Sequence, residues 1–301
     1  DSLKTTVLHE VVISATRTEQ SVIETPRSVT VINRDAIENS VYNSVGELLT
    51  TRSGMYIVGA NQTPGTNQNL FMRGATSNQV VVMIDGIRIT DPSSPNSAID
   101  LSELSLTNVE RIEVIRGSHS TMYGSAAIGG VVNIITRKDQ ASGVHGTFSA
   151  QSATYGERSS GFTETLDINF STSKGFYINA SGFQQNVNGL DASLKPNTTD
   201  FTTADKDDFR KTDGFVKAGF RNKTWDSFVA YKTTHQLADI DAGAFDDDEN
   251  NTLQFNRDLL EYKVGYTLDS RWRITAWGSW SSSVRVNKYD SSVVSANGDY
   301  D

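Results

Sequence analysis

The sequence predicts a chain of two parts: a compact α+β domain over residues 21–138, then antiparallel strands of a transmembrane β-barrel over 139–301. Three observations predict this division. The first part alternates short apolar runs with capped helical segments. From about residue 142 the apolar and polar residues alternate strictly along long segments. Tight polar turns then alternate with long polar loops, which is the pattern of a membrane barrel.

Local signals place the elements of the α+β domain. Strands are predicted at 27–32, 80–86, 109–117 and 129–136, and helices at 33–40 and 43–54. Asn33 is placed to cap the first helix. Ser44 and Glu47 have the spacing of a capping box on the second, and Gly54 supplies a left-handed residue at its C-terminus.

The pair Gly129–Gly130 opens the last strand of this domain. Bare backbone at this point would let neighbouring chain segments pack closely, inside the domain and against a barrel wall. A phosphate-binding loop is the alternative for this glycine-rich stretch. It is disfavoured because the Lys-Ser/Thr pair of such loops is missing and a strand, not a helix, follows.

The barrel prediction depends on alternation along the later strands. In 260–269 one face carries Leu260, Tyr262 and Val264. The next segment, 271–287, is longer than the about 9–11 residues that cross a membrane. A water-soluble sandwich with one face in a core stays open, because periodicity alone does not distinguish the two. We recognise about seven strands. A closed barrel needs at least about eight, and a barrel wide enough to hold a folded domain needs about twenty-two, so we expect most of the barrel to lie outside this sequence.

Composition excludes several classes of function. The chain has 27 Lys and Arg against 36 Asp and Glu, and its net charge of −9 disfavours nucleic acid as a partner. It contains no cysteine, which excludes disulfides and thiolate metal sites. The four histidines are scattered, which disfavours a histidine-based metal site.

Five stretches of the first part together resemble one known family. They are TPRSVTVI, SVGELLTTRSGM, NLFMRG, VVMIDGIRI and VERIEVIRGSHSTMYGSAAIGGVVNIITRK. In order and spacing they are similar to the plug domain of TonB-dependent outer-membrane receptors, over roughly residues 8–138. The resemblance implies an α+β plug inside a 22-stranded transmembrane antiparallel β-barrel, only partly present in this chain. It also implies a location in the outer membrane of a Gram-negative bacterium, in contact with its lipids.

The resemblance assigns a role to the N-terminal segment, residues 1–20. The family carries a short extended segment, the TonB box, ahead of its plug. The matching residues are Leu8, His9, Glu10, Val11, Val12, Ile13 and Ser14. Such a peptide would add as a strand to the sheet of TonB, which works with ExbB and ExbD. A frayed terminus or an edge strand is the alternative.

Within the family, the sequence is most similar to the members that transport cobalamin. The similarity lies in the order of the plug motifs and in GFRNKTWDSFVAYKTT with DIDAG. In those members plug loops touch the ligand. The matching positions here are Asn67, Asn69, Thr76, Pro95 and Asn96. Their amides and hydroxyls suit a large, amide-rich ligand, although the same residues also fit ordinary solvated loops.

The resemblance further implies Ca²⁺ in the outer loops. The residues at comparable places are Asp191, Asp213, Asp241 and Asp246. Calcium takes six to eight oxygen ligands, often from converging carboxylates. Lys211 stands where the pattern has another acid, and a hydrated acidic loop surface is the alternative. No cofactor is expected for chemistry, and a surface lipoprotein that caps the barrel is a further expected partner.

Three other functions remain open at this stage. A ferric-siderophore or haem receptor belongs to the same family, and His119 and His235 are the residues to examine for haem. An outer-membrane barrel enzyme would need a nucleophile and a base, and no Ser-His-Asp spacing indicates one. A passive structural or adhesive barrel would make no use of Leu8–Ser14. The leading prediction is a receptor that is not an enzyme.

Overall fold

Two large sheets of opposite character, one of five strands and one of eight, dominate the described part of the chain. The computed structural model describes residues 11–12, 20–21, 28–60, 62–124, 126–137, 142–155, 159–190, 207–240, 251–269, 271–289 and 292–300. Up to residue 137 these residues form the plug, and from residue 142 they form the wall. At the N-terminus β1 (Val11–Val12) pairs antiparallel with β2 (Gln20–Ser21).

The central sheet of the plug has five strands in the order β3-β8-β9-β6-β7. They are β3 (Val29–Asn33), β6 (Val80–Ile84), β7 (Ile87–Ile89), β8 (Val109–Arg116) and β9 (Gly130–Thr136). The β6–β9 pair is parallel and the other pairs are antiparallel. All four predicted strands are confirmed, with small shifts at their ends, whereas the short β7 was not predicted.

The α-helices of the plug are short; the first two begin at the predicted caps, whereas the third was not predicted. They are α1 (Arg34–Glu38), α2 (Val45–Thr50) and α3 (Ser120–Tyr123). The Asn33 side chain accepts from the Ala36 amide, and Ser44 and Glu47 form the capping box, as predicted. In the described ranges no helix is long and apolar enough to cross a membrane.

The end of α2 corrects one prediction. The helix ends at Thr50, with Thr51 as its C-cap, so Gly54 does not terminate it. Gly54 is left-handed, with φ +79°, but it turns the chain into the next strand. That strand, β4 (Met55–Val58), forms a hairpin with β5 (Asn69–Met72), which the sequence did not predict.

The glycine pair is confirmed as a packing device within the plug. A Cβ on Gly130 would lie 2.4 Å from the carbonyl oxygen of Ile115, and its φ of +154° already disfavours a side chain. A Cβ on Gly129 would lie 2.6 Å from Cβ of Ala75. The nearest atoms to both positions belong to the plug, and the expected packing of this pair against the wall stays a prediction.

The wall is one antiparallel sheet of eight strands in sequence order. The strands are β10 (Gly143–Thr154), β11 (Ser160–Ser171), β12 (Phe176–Leu190), β13 (Asp207–Arg221), β14 (Trp225–Asp239), β15 (Thr252–Thr267), β16 (Arg273–Tyr289) and β17 (Ser292–Tyr300). Seven correspond to predicted strands, and β17 was not predicted. Short turns at 172–175 and 222–224 define one end, called the turn end. The opposite end, called the loop end, holds the other termini of these strands, which include Asp207 of β13, Asp239 of β14 and Thr252 of β15.

The two faces of the wall have reversed polarity compared with a water-soluble protein. On β15 the apolar side chains of Leu260, Tyr262 and Val264 are exposed, by 38%, 48% and 45%, whereas Glu261 is only 2% exposed. A soluble sandwich would bury the apolar face. The sandwich alternative is therefore wrong, and the outer face has the apolar surface that lipid requires.

The plug lies against the inner face of the wall. Leu259 of β15 belongs to the apolar core of the plug. On the other side, Ile87 packs with Tyr177, Phe228 and Ala230 of the wall. Ion pairs also join plug and wall, among them Lys217 with Asp85 and Arg257 with Glu103.

Candidate functional site

Two plug loops meet at the loop end of the wall and form the candidate site. The first loop, residues 59–68, joins β4 to β5. Gly65 brings it against the wall, because a Cβ there would lie 2.5 Å from Cβ of Ala238 and 3.1 Å from the ring of Phe209. Both wall residues lie near the loop-end termini of their strands.

The second loop, residues 90–100, is organised around a buried carboxylate. Asp91 is fully buried, and its Oδ1 accepts from the amide and the hydroxyl of Ser93, at 3.0 and 2.6 Å. Asn96 and Ser97 are left-handed, with φ of 58° and 53°. Asn96 is exposed at the tip of this loop.

A second carboxylate joins the two loops. Oδ1 of Asp100 accepts from the Gln68 amide at 2.8 Å and from the Ser102 amide at 2.9 Å. The Leu101 amide donates to the carbonyl of Gln68 at 3.0 Å. Residues 59–68 and 90–100 therefore form one unit, which we call the plug apex.

The wall holds the plug apex through Arg285 of β16. Nη1 donates to Oδ1 of Asn67 at 2.9 Å, and Nη2 lies 3.3 Å from Asp91 and 3.7 Å from Asp100. The guanidinium also lies over the ring of Phe255, 4.7 Å from its centroid. One side chain of the wall thus contacts both loops of the apex.

A second arginine, Arg257 of β15, holds the segment that follows. It pairs with Glu103 and lies 3.4 Å from Asp91. It also donates to the carbonyl of Thr90 at 2.9 Å and to the hydroxyl of Ser283 at 3.0 Å. Together with Arg285 it balances two of three neighbouring plug carboxylates, those of Asp91, Asp100 and Glu103.

Burial and neighbouring charges change the pKa of Glu103. Burial raises the pKa of Glu103 from an ordinary value of 4.5 to about 7. Arg257 opposes this shift, whereas the carboxylates of Asp91 and Asp100 add to it. Glu103 can therefore bind a proton within the ordinary range of pH.

Two buried lysines of β13 fasten other parts of the plug. Nζ of Lys217 donates to Oδ2 of Asp85 at 2.5 Å and to the Thr136 hydroxyl at 2.9 Å, and it lies 4.0 Å from the ring centroid of Phe228. Nζ of Lys211 donates to the carbonyl of Ser102 at 2.6 Å. A buried charge of this kind needs its partner, because water no longer solvates it.

The sequence resemblance implies ion pairs between plug arginines and wall carboxylates, with Arg73, Arg111 and Arg116 as the matching plug residues. In the described residues Arg111 instead pairs with Glu113 of the plug, at 2.8 Å. Arg116 donates to the hydroxyl of Thr30 at 2.6 Å and to the carbonyl of Ser53 at 3.0 Å. The ion pairs between plug and wall described above combine wall cations with plug carboxylates.

Four of the five predicted ligand residues lie at or beside the plug apex. Asn67 and Asn96 are exposed within it, Asn69 follows it at the start of β5, and the backbone of Pro95 lies in the second loop. Thr76 lies beyond the opposite end of β5, where its hydroxyl donates to Asn78 at 2.6 Å. The structure therefore separates Thr76 from the other four.

The predicted calcium residues give a mixed result. Asp191, Asp241 and Asp246 lie outside the described residues. Asp213 was expected in an outer loop, but it lies within β13, is buried, and is 3.7 Å from Lys211. The loop placement of Asp213 is therefore wrong. Among the described residues no group of three or more His, Asp or Glu could hold a metal ion.

The predicted TonB box is described only at Val11 and Val12, which are extended and paired with Gln20–Ser21. Leu8, His9, Glu10, Ile13 and Ser14 lie outside the described residues. Extended backbone is the conformation that strand addition uses. The role of the segment stays a prediction.

The plug apex offers neutral hydrogen-bonding groups. Residues 59–68 and 90–100 contain no Lys, Arg or His, and the arginines beneath them are engaged by carboxylates. Sequence reasoning missed Arg257, Arg285 and Lys217 as anchors. Their only signal was a charge at inward-facing positions of alternating strands, and nothing in the spacing identified their plug partners.

Comparison with known proteins extends these observations. Residues 21–131 match the family model described as TonB-dependent Receptor Plug Domain. The vitamin B12 transporter BtuB of Vibrio cholerae is 42% identical over 127 residues, which are 42% of this chain and 20% of that protein. The iron-regulated outer membrane virulence protein of V. cholerae is 40% identical over 134 residues, 43% of this chain and 20% of that protein.

Among solved structures, the siderophore receptor PirA from Acinetobacter baumannii aligns with a TM-score of 0.70 at 18% identity, over 89% of this chain and 43% of that one. At this identity the likeness shows the fold alone. The match to each V. cholerae protein covers only a fifth of that protein's length.

Proposed function

Because this chain belongs to the TonB-dependent outer-membrane receptors, we propose that the protein takes up cobalamin or a related corrinoid across that membrane. The family places it in the outer membrane of a Gram-negative bacterium. The ligand binds from outside at the plug apex. TonB, with ExbB and ExbD, then supplies the energy by pulling on the segment that contains Leu8–Ser14.

One observation carries the ligand assignment: the 42% identity over 127 residues to a vitamin B12 transporter, a match as long as the plug itself. The chemistry of the apex supports it. Asn67, Asn69 and Asn96 supply amide donors and acceptors, and the loops carry no cation. A corrinoid presents many amide groups, which such side chains can match without an opposite charge.

A ferric siderophore is the second candidate ligand. The 40% identity to an iron-regulated outer membrane protein favours it. Many ferric chelates are anionic, and an anion would need cationic partners at the apex. Because Arg257 and Arg285 are engaged by plug carboxylates, the apex is less suited to such a ligand.

Haem is disfavoured by the position of the histidines. His119 is buried in the plug, with Nδ1 2.7 Å from the carbonyl of Gly117. His235 lies on the outer face of β14, beside Thr233 and Asn256. Neither lies at the plug apex, where a ligand from outside would arrive.

Direct titration tests the ligand. The full-length protein is purified from outer membranes and titrated with cyanocobalamin, ferric enterobactin and ferric citrate. We expect saturable binding of cyanocobalamin and no saturable binding of either ferric chelate. Saturable binding of a ferric chelate, with none of cyanocobalamin, would replace the corrinoid with a siderophore.

A deletion tests energy coupling separately. Removal of Leu8–Ser14 should abolish uptake of labelled cyanocobalamin into cells and leave binding at the surface unchanged. Uptake equal to that of the intact protein would indicate a passive barrel. A catalytic barrel would instead convert the bound ligand, which chromatography of the released ligand detects.

The roles of Ca²⁺ and of a surface lipoprotein stay proposals. Asp191, Asp213, Asp241 and Asp246 are the candidate calcium residues from the sequence. The affinity of the protein for cyanocobalamin, measured once in the presence of Ca²⁺ and once in the presence of a chelator, tests the role of these residues. Equal affinities in the two conditions would argue against a role for calcium in ligand binding.

A further inference from the structure

One side chain of the wall, Arg285, contacts both ligand loops of the plug. Of the two arginines beneath the apex, Arg257 contacts residues of the second loop and the segment after it. Only Arg285 of this pair also reaches Asn67 in the first loop. The relative position of the two loops therefore depends on this one guanidinium more than on its neighbour.

The chemistry of Arg285 suits this role. A guanidinium is a planar fork with several N–H donors, so it can bind a carboxylate and an amide oxygen in fixed directions at once. Asp91 is fully buried, and a buried carboxylate without a cation is unfavourable. The ring of Phe255 lies beneath the guanidinium and restricts its motion.

We propose that Arg285 is a positioning residue for ligand binding: by joining Asn67, Asp91 and Asp100, it holds both loops of the plug apex in one arrangement. The ligand need not touch Arg285. A loop pair that is already ordered loses less conformational freedom on binding, which increases affinity. The identity of the ligand rests on the proposed function, whereas the ordering of the loops does not.

The test compares matched variants of the full-length protein. Arg285→Gln removes the charge and the fork. Arg273→Gln is the control, because Arg273 lies on the same strand at the turn end and pairs with Asp226 of the wall, at 3.2 Å. Arg285→Lys keeps the charge but not the fork.

Amide hydrogen exchange without ligand is the first readout. In Arg285→Gln we expect exchange about tenfold faster in both apex loops, 62–68 and 91–100, with β8 unchanged. In Arg285→Lys, exchange should rise in 62–68 alone, because an ammonium still pairs with Asp91. Equal exchange in Arg285→Gln and Arg273→Gln would overturn the proposal. A uniform rise that includes β8 would also overturn it, because it would indicate general loosening of the plug.

Binding of cyanocobalamin is the second readout. Arg285→Gln should weaken it about tenfold, mainly through faster dissociation, and Arg273→Gln should leave it unchanged. If the wild-type protein does not bind cyanocobalamin, the corrinoid assignment fails and the exchange data alone decide the role of Arg285. Unchanged affinity in Arg285→Gln, with tight binding by wild type, would overturn the proposal.

Discussion

The plug and the wall bury opposite kinds of side chain. The plug packs apolar residues such as Val45, Leu49 and Ile112 in its interior, as a water-soluble domain does. The wall turns Lys217 and Glu261 inward and exposes aromatic rings on its outer face. Alternation along a strand therefore indicates that its two faces lie in different environments, but it does not indicate which environment is water.

The consequence for stability also differs between the two regions. In the plug, apolar burial stabilises the fold directly. Between plug and wall, specific ion pairs must offset the loss of hydration of buried charges. Substitutions at each kind of contact therefore test this difference between plug and wall.

The largest effect is expected from Lys217→Met. It leaves the carboxylate of Asp85 buried without its cation, which should weaken plug docking by about 3–5 kcal/mol. Urea denaturation of the full-length protein, followed by hydrogen exchange in β9, measures this. Lys223→Met, at an exposed turn, is the control. Equal stability of the two variants would contradict the role of the buried pair, and Asp85→Asn in the Lys217→Met background should restore part of the loss.

The next effect tests the outer face. Val229 is 55% exposed on β14, and Val229→Arg should destabilise the protein in lipid by about 2–4 kcal/mol. Leu237→Arg, on the same face but near the loop end, should cost about 0–1 kcal/mol. Folding into lipid vesicles at increasing urea measures both. Equal costs would argue that this face does not cross a bilayer.

A pH effect is expected from Glu103. Its folded pKa of about 7 lies above the ordinary 4.5, so the unfolded state releases this proton at lower pH than the folded state does. The contribution of Glu103 to stability is therefore full below about pH 4.5 and is lost as the pH rises through about 7. The difference between these limits should be roughly 3 kcal/mol, because each unit of pKa difference corresponds to about 1.4 kcal/mol.

The variant Glu103→Gln separates this effect from other titrations. It should flatten that part of the pH profile of urea stability. The control is Glu38→Gln, at the exposed end of α1, which should leave the profile unchanged. A profile that is the same in wild type and Glu103→Gln would remove Glu103 as its source.

The smallest effect concerns the plug alone. Ser44→Ala removes the side-chain cap of α2 and should lower plug stability by about 1 kcal/mol. Thermal denaturation of the full-length protein compares it with Ser53→Ala, at an exposed position after the helix. No difference between these variants would indicate that wall contacts, not the capping box, fix α2.

The sequence predicted those elements whose signals are local. The caps at Asn33 and Ser44 are predicted from neighbouring residues, and both are present. The hairpin of β4 and β5 was missed because its strands are only four residues long and a long loop separates them. Strand β17 has no comparably strict alternation.

The candidate site was only partly predictable for a different reason. Resemblance indicated the apex loops through Asn67, Asn69, Pro95 and Asn96. Arg257 and Arg285, which contact these loops, are far away in sequence. Their partners in the plug are determined by how the plug packs against the wall. Asp213 was expected in an outer loop, but β13 already begins at Asp207, which places Asp213 inside a strand of the wall.

The wall separates lipid outside from the plug inside. Spin labelling along β15 tests this arrangement. The chain contains no cysteine, so single cysteines at 258–266 carry the label without interference. In lipid bilayers we expect collision with dissolved oxygen to alternate with a period of two, high at Leu260, Tyr262 and Val264 and low at Glu261 and Lys263. High oxygen collision at the odd positions, or no alternation at all, would contradict the account.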